Sequence, residues 1–192
     1  NRMLKNDVKE IDDEDIDANT INEYLNIFER LFLINNQKPF VASVRSSVRI
    51  KQAVKRHFVD PSISAALLGV TSSSLLNDLE TLGLLFEALC ERDLQIYADA
   101  FGGSLYHYQD YKNREIDAVV ECPDGEWCAF EIKLGANQID AAAEGLLRLK
   151  AEFEADPMGR PPKVLCVLCG LSNAAYQRPD GVFVVPLTAL RD

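Results

Sequence analysis

No apolar run in this 192-residue sequence is long enough to cross a membrane, and no signal-peptide pattern opens it. The expectation is a soluble, cytoplasmic protein with no membrane partner. Histidine occurs only twice, as His57 and His107, and neither has an obvious catalytic role. Cysteine is present in an odd number: Cys90, Cys122, Cys128, Cys166 and Cys169. Scattered through apolar segments, these read as reduced thiols. Cys166 and Cys169 form a Cys-x-x-Cys, but inside Val-Leu-Cys-Val-Leu-Cys, the pattern of a buried strand. No second pair exists to complete a structural zinc site. Basic residues are also scarce, 20 against 30 acidic ones, for a net charge of −10. Such a chain is not a general polyanion binder, so any nucleic-acid contact needs a local basic patch or a bound metal. There is no internal repeat. No Gly-x-x-x-x-Gly-Lys-Ser/Thr occurs either, so the chain carries no ATP site of its own.

Hydrophobic residues make up 47% of the chain and charged ones 26%, a globular composition. Residues 1–19 form an acidic leader, read as a solvated extension. Thr20 and Glu23 have the spacing of a capping box, and Ile21, Tyr24, Leu25, Phe28, Leu31 and Phe32 recur at helical period. A helix is therefore expected over 20–32, ending at Leu33-Ile34-Asn-Asn, which leads into a short strand and the break at Pro39. From Val41 to Arg56 the charge reverses. Arg45, Arg49, Lys51, Lys55 and Arg56 form either a phosphate-contacting patch or a surface that pairs with acidic neighbours. A helix followed by a basic, strand-like turn resembles the last helix and wing of a winged-helix module, here only partial over 20–57.

Asp60-Pro61 is a helix start, and Gly69 a stop. Ser72, Ser73 and Ser74 are expected to cap one long helix over 75–100. Gly83 on it would permit close packing, with Glu87 one turn further on. Strands follow at 104–108, 115–121 and 127–133. A helix over 139–155, a buried strand at 163–169 and a last strand at 182–185 complete the order. The strand at 163–169 is reached through a helical crossover and should lie parallel to its neighbour.

The most informative stretch runs from Asn113 to Gly135. Two apolar arms flank Pro-Asp-Gly, a hairpin signature. Asp117 lies in the first arm, and Glu131 and Lys133 share one face of the second. Two carboxylates and an amine on a sheet face are costly to bury unless they act together. The carboxylates suit Mg²⁺ or Mn²⁺, with the carbonyl of Ile132 as a further ligand. Lys133 would then position an attacking water and help deprotonate it. The alternative is a surface ion pair, since Glu-x-Lys also arises in strands by chance.

Asp117…Glu131-Ile132-Lys133 resembles the PD-(D/E)XK nuclease signature. More narrowly, five stretches resemble the C-terminal region of prokaryotic AAA+ ATP-binding proteins of unknown function. They are Tyr24-Leu25…Leu31-Phe32-Leu33-Ile34, His57-Phe58-Val59-Asp60-Pro61, Gly83-Leu-Leu-Phe-Glu87, Glu115-Ile-Asp117 and Phe130-Glu131-Ile-Lys133-Leu-Gly135. The resemblance implies a restriction-endonuclease-like αβββαβ mixed sheet flanked by helices over 58–192, preceded by the small winged-helix-like segment. It implies Glu87, Asp117, Glu131 and Lys133 as catalytic residues, with Asp117 and Glu131 as metal ligands. Its implied partners are DNA and an N-terminal AAA+ ATPase domain. The activity it implies is Mg²⁺-dependent DNA cleavage. The alternative is a catalytically inactive DNA- or protein-binding regulatory module of the ATPase.

Overall fold

The computed structural model describes residues 2–12, 16–42, 50–51 and 53–190. Arg45 and Arg49 lie outside the described residues. The acidic leader holds a helix, α1 (Arg2–Asp12), where a solvated extension was expected. Helix α2 (Ala18–Arg30) follows. Its cap is Asp17, whose side chain accepts from the Asn19 N–H, rather than Thr20. It ends where Phe32 turns left-handed (φ 55°) and the Leu33 N–H bonds back to the Phe28 carbonyl.

Strands β1 (Ile34–Gln37) and β2 (Lys55–Phe58) pair antiparallel as a two-stranded sheet. Helix α3 (Pro61–Leu68) runs between the expected signals: Asp60 caps the Ser62 N–H, and Gly69 closes it at φ 64°. The expected long helix is instead two. Thr71 and Ser74 form a capping box for α4 (Ser72–Asn77), and Asp78 then starts α5 (Leu79–Ala100). The Asp78 carboxylate accepts from both the Thr81 N–H and its hydroxyl, which favours a new helix over continuation. Gly83 serves no close approach, since a Cβ there would meet nothing within 4 Å.

The rest is a six-stranded mixed sheet flanked by helices. Its strands are β3 (Ser104–Gln109), β4 (Glu115–Glu121), β5 (Trp127–Lys133), β6 (Val164–Cys169), β7 (Tyr176–Gln177) and β8 (Phe183–Val185), in spatial order β3-β4-β5-β6-β8-β7. The Pro-Asp-Gly turn closes with the Gly125 N–H on the Cys122 carbonyl, Gly125 being left-handed at φ 82°. Helix α6 (Ile139–Ala155) is the crossover, and β6 runs parallel to β5. The short β7, in the loop before β8, carried no apolar signal.

Two apolar layers sandwich the sheet. On one face Ala142, Ala143, Leu146 and Phe153 of α6 pack on Ile116, Val119, Trp127 and Ala129. On the other, Cys90, Leu94 and Ala98 of α5 pack on Ala118, Val120 and Ile132. Ile116 and Ala118, two apart, thus face opposite ways. The register explains it: Tyr106 pairs with Val119 and Tyr108 with Ile116, so Asp117 and Ala118 together oppose His107 alone. This is a β-bulge, a device that re-aims side chains.

Candidate active site

The bulge falls where the hairpin ladder ends. The last β4–β5 pair is Ala118 with Phe130. Beyond it the Asp117 carboxylate takes the place of a ladder carbonyl and accepts from the Ile132 N–H at 2.7 Å. The same oxygen accepts from Lys133 Nζ at 3.1 Å. Lys133 is also 2.8 Å from Glu131 Oε2. Strand alternation sends Glu131 and Lys133 to the α6 side with Trp127 and Ala129. The two carboxylates are largely buried, at 14% and 15% exposure.

Burial, and next the neighbouring Asp117 charge, push Glu131 up to about 7 against the pull of Lys133. For Lys133 burial works against the charge, but Asp117 and Glu131 outweigh it and its pKa rises. Lys133 therefore keeps its proton at neutral pH. A charged ammonium at this place stabilises negative charge brought next to it. Among the described residues, no group of three or more His, Cys, Asp or Glu side chains is disposed to hold a metal. The pair Asp117 and Glu131 fits only a hard cation that keeps much of its water, as Mg²⁺ does. Their crowding, which raises Glu131, is what such a cation would relieve.

Three of the four predicted catalytic residues thus come together. Glu87 does not contact them; it is ion-paired with Lys55. Lys55 lies 2.7 Å from Glu91 as well, and Glu91 Oε2 is 3.1 Å from His57 Nδ1. Sequence reasoning missed Glu91. Its signal was position: it follows Glu87 by four residues, on the helix face that also carries Cys90 and Leu94. It is only 1% exposed. Burial pushes it up to about 7 against Lys55. Burial, then Lys55, lowers His57 to about 4.

The basic patch is partly consumed by these contacts. Lys55 belongs to the Glu87–Glu91 clasp, Lys51 donates to the Asn113 side chain at 2.7 Å, and Arg56 donates to that of Asn36 at 2.9 Å. His107 is structural: its Nε2 is 3.0 Å from the Ala53 carbonyl, and its backbone bridges to residues 38–40.

Residues 82–190 match the family described as Domain of unknown function (DUF4143). The chain belongs to this family. Members of DUF4143 are commonly found C-terminal to AAA ATPase domains. The match takes in Glu87, Glu91, Asp117, Glu131 and Lys133. A second domain of unknown function, DUF8612, matches residues 3–74, which include Lys55 and His57. The Lys55 clasp therefore joins the two matched regions. No curated protein and no solved structure matches the chain. No helix among the described residues is long and apolar enough to cross a membrane.

Proposed function

We propose that this chain is the C-terminal accessory region of an AAA+ ATP-binding protein, and that its PD-(D/E)XK nuclease-like domain hydrolyses DNA phosphodiester bonds with Mg²⁺ or Mn²⁺. One observation carries the reading: Asp117, Glu131 and Lys133 converge where the β4–β5 ladder ends, beside a groove under α6. Asp117 and Glu131 would hold the cation, which supplies charge stabilisation at the phosphate and the leaving oxygen. The Ile132 N–H fixes the Asp117 carboxylate on the rigid sheet. Lys133, held charged by its two carboxylates, meets negative charge developing on the phosphate. Residues 20–57 serve as a partial winged-helix segment in front of this domain.

The test is incubation of the purified chain with labelled DNA and Mg²⁺ or Mn²⁺. Cleavage lost in the Glu131→Ala, Lys133→Ala double variant supports the reading; cleavage that survives the double variant overturns the site. A second reading, a catalytically inactive module of the ATPase, is favoured by the engagement of Glu87 with Lys55 and by the absence, among the described residues, of a third carboxylate on the Asp117–Glu131 pair. Calorimetry that detects no divalent cation binding, together with no cleavage, selects it.

A further inference from the structure

The groove under α6 consists of two adjoining cavities. One, of about 390 Å³, is bordered by Glu131, Lys133, Asn137 and Gly145 among others. The next, of about 380 Å³, is bordered by Arg114, Glu115, Glu131, Gly145 and Arg148. Glu131 and Gly145 belong to both, so the groove passes over the carboxylate site. Helical spacing puts Ala141, Gly145, Arg148 and Glu152 on one stripe of α6. The small residues recess the wall next to Glu131, and a Cβ at Gly145 would meet nothing within 4 Å.

Two arginines border the groove. Arg114 is committed to Asp110 and Glu152. Arg148 is exposed and, among the described residues, makes no ion pair or hydrogen bond. Of the two arginines on this carboxylate-lined groove, Arg148 is the one left to meet an anion from outside. A guanidinium fork matches the paired oxygens of a phosphate. Each cavity is of the size that takes a small ligand, so one nucleotide unit of a single strand fills it.

We propose that Arg148 holds a backbone phosphate of single-stranded DNA in this groove and so positions the adjoining phosphodiester at Glu131 and Lys133. The inference rests on the hydrolytic reading above and names its substrate form. The full chain is titrated with a labelled single-stranded oligonucleotide, and with its duplex, in EDTA from about 50 to about 200 mM salt. Cleavage is then followed in Mg²⁺ and Mn²⁺.

Arg148→Ala is expected to weaken single-strand binding about tenfold, as loss of a charged hydrogen bond does. It should also flatten the slope of log affinity against log salt by about 0.7, the value for one phosphate contact on a single strand. KM rises while kcat holds. Arg148→Lys restores the salt slope but only part of the affinity, because an ammonium lacks the fork. Unchanged thermal melting of both variants shows the loss to be local. Equal affinity and slope for wild type and Arg148→Ala overturn the inference, as does a duplex bound as tightly as the single strand. Arg148-dependent binding without any cleavage upholds the groove and sinks the hydrolytic reading instead. Cleavage with KM unmoved in Arg148→Ala does the reverse.

Discussion

Lys133 and Lys55 are each clasped by two carboxylates, Lys133 by Asp117 and Glu131, Lys55 by Glu87 and Glu91. In each clasp burial drives one carboxyl up to about 7. The settings differ. Lys133 and its partners sit on adjacent strands of one sheet, fixed by the bulge in β4 and open to the α6 groove. Lys55 reaches from β2 to α5, between the regions matching two different families, and His57 closes over its buried acid. In the proposed function, three such charges held by neighbouring strands beside a groove act as a reactive centre. Held between distant elements around a buried carboxylate, they serve as a fastener.

That contrast can be broken by substitution. Lys55→Ala takes the lysine away from buried Glu91 and leaves it His57, so it should cost about 3 kcal/mol or more of stability in urea melts. Lys133→Ala should cost clearly less, because its carboxylates are nearer to water. An equal loss from both would erase the distinction. In the opposite direction, Glu131→Ala or Lys133→Ala should lower the proposed DNA cleavage about a hundredfold or more. Glu87→Gln should lower it far less, and steady-state cleavage assays separate the two.

The fastener also has a pH signature. The groups facing Glu91 are Lys55, His57, Glu87 and Asp117. Glu91 is raised from 4.5 to about 7, so the folded state holds a proton there that the unfolded chain has released, and its contribution to stability falls as pH rises through that window. His57 is lowered from 6.5 to about 4, so its contribution is full above 6.5 and is lost as pH falls. The two trends oppose each other in wild type. Glu91→Gln should expose the His57 trend, with stability rising with pH relative to wild type. His57→Phe should expose the Glu91 trend, with stability falling as pH rises toward 7. Chemical denaturation at stepped pH reads both, and parallel curves for the two variants would contradict the assignment.

The smallest effect belongs to the groove wall. Gly145→Ala adds a methyl that meets nothing and relieves a helical glycine, so it should add about 0.5–1 kcal/mol to stability. Thermal melting detects it; a loss would mean that the wall of the groove is not open.

The hairpin arms were legible to the residue because Val119 and Val120 favour the strand and Pro123-Asp124-Gly125 fixes the turn. Helix α6 was equally plain from its apolar spacing, and the parallel β5–β6 pair followed from the crossover. The bulge was not legible, because it exists only relative to β3: no property of Asp117 or Ala118 announces that both oppose His107. Glu91 was hidden for a similar reason. A glutamate on a helix reads as solvated until Lys55 and His57 arrive from more than 30 positions away in the sequence to bury it. The division of the long helix at Asp78 turned on a side-chain bond to Thr81 that competes with helical continuation, a contest between near-equal local energies.

The hydrogen bond from the Ile132 amide to the Asp117 carboxylate makes the site observable without any substrate. A peptide proton bonded to a charged oxygen, in a strand whose other amides serve carbonyls, should resonate well away from its neighbours in a nitrogen–proton correlation spectrum. Any occupant that draws on the Asp117 carboxylate must weaken that bond. The Ile132 cross-peak is thus a native indicator, free of any attached probe: its movement on adding a divalent cation would report occupancy before a single phosphodiester is offered.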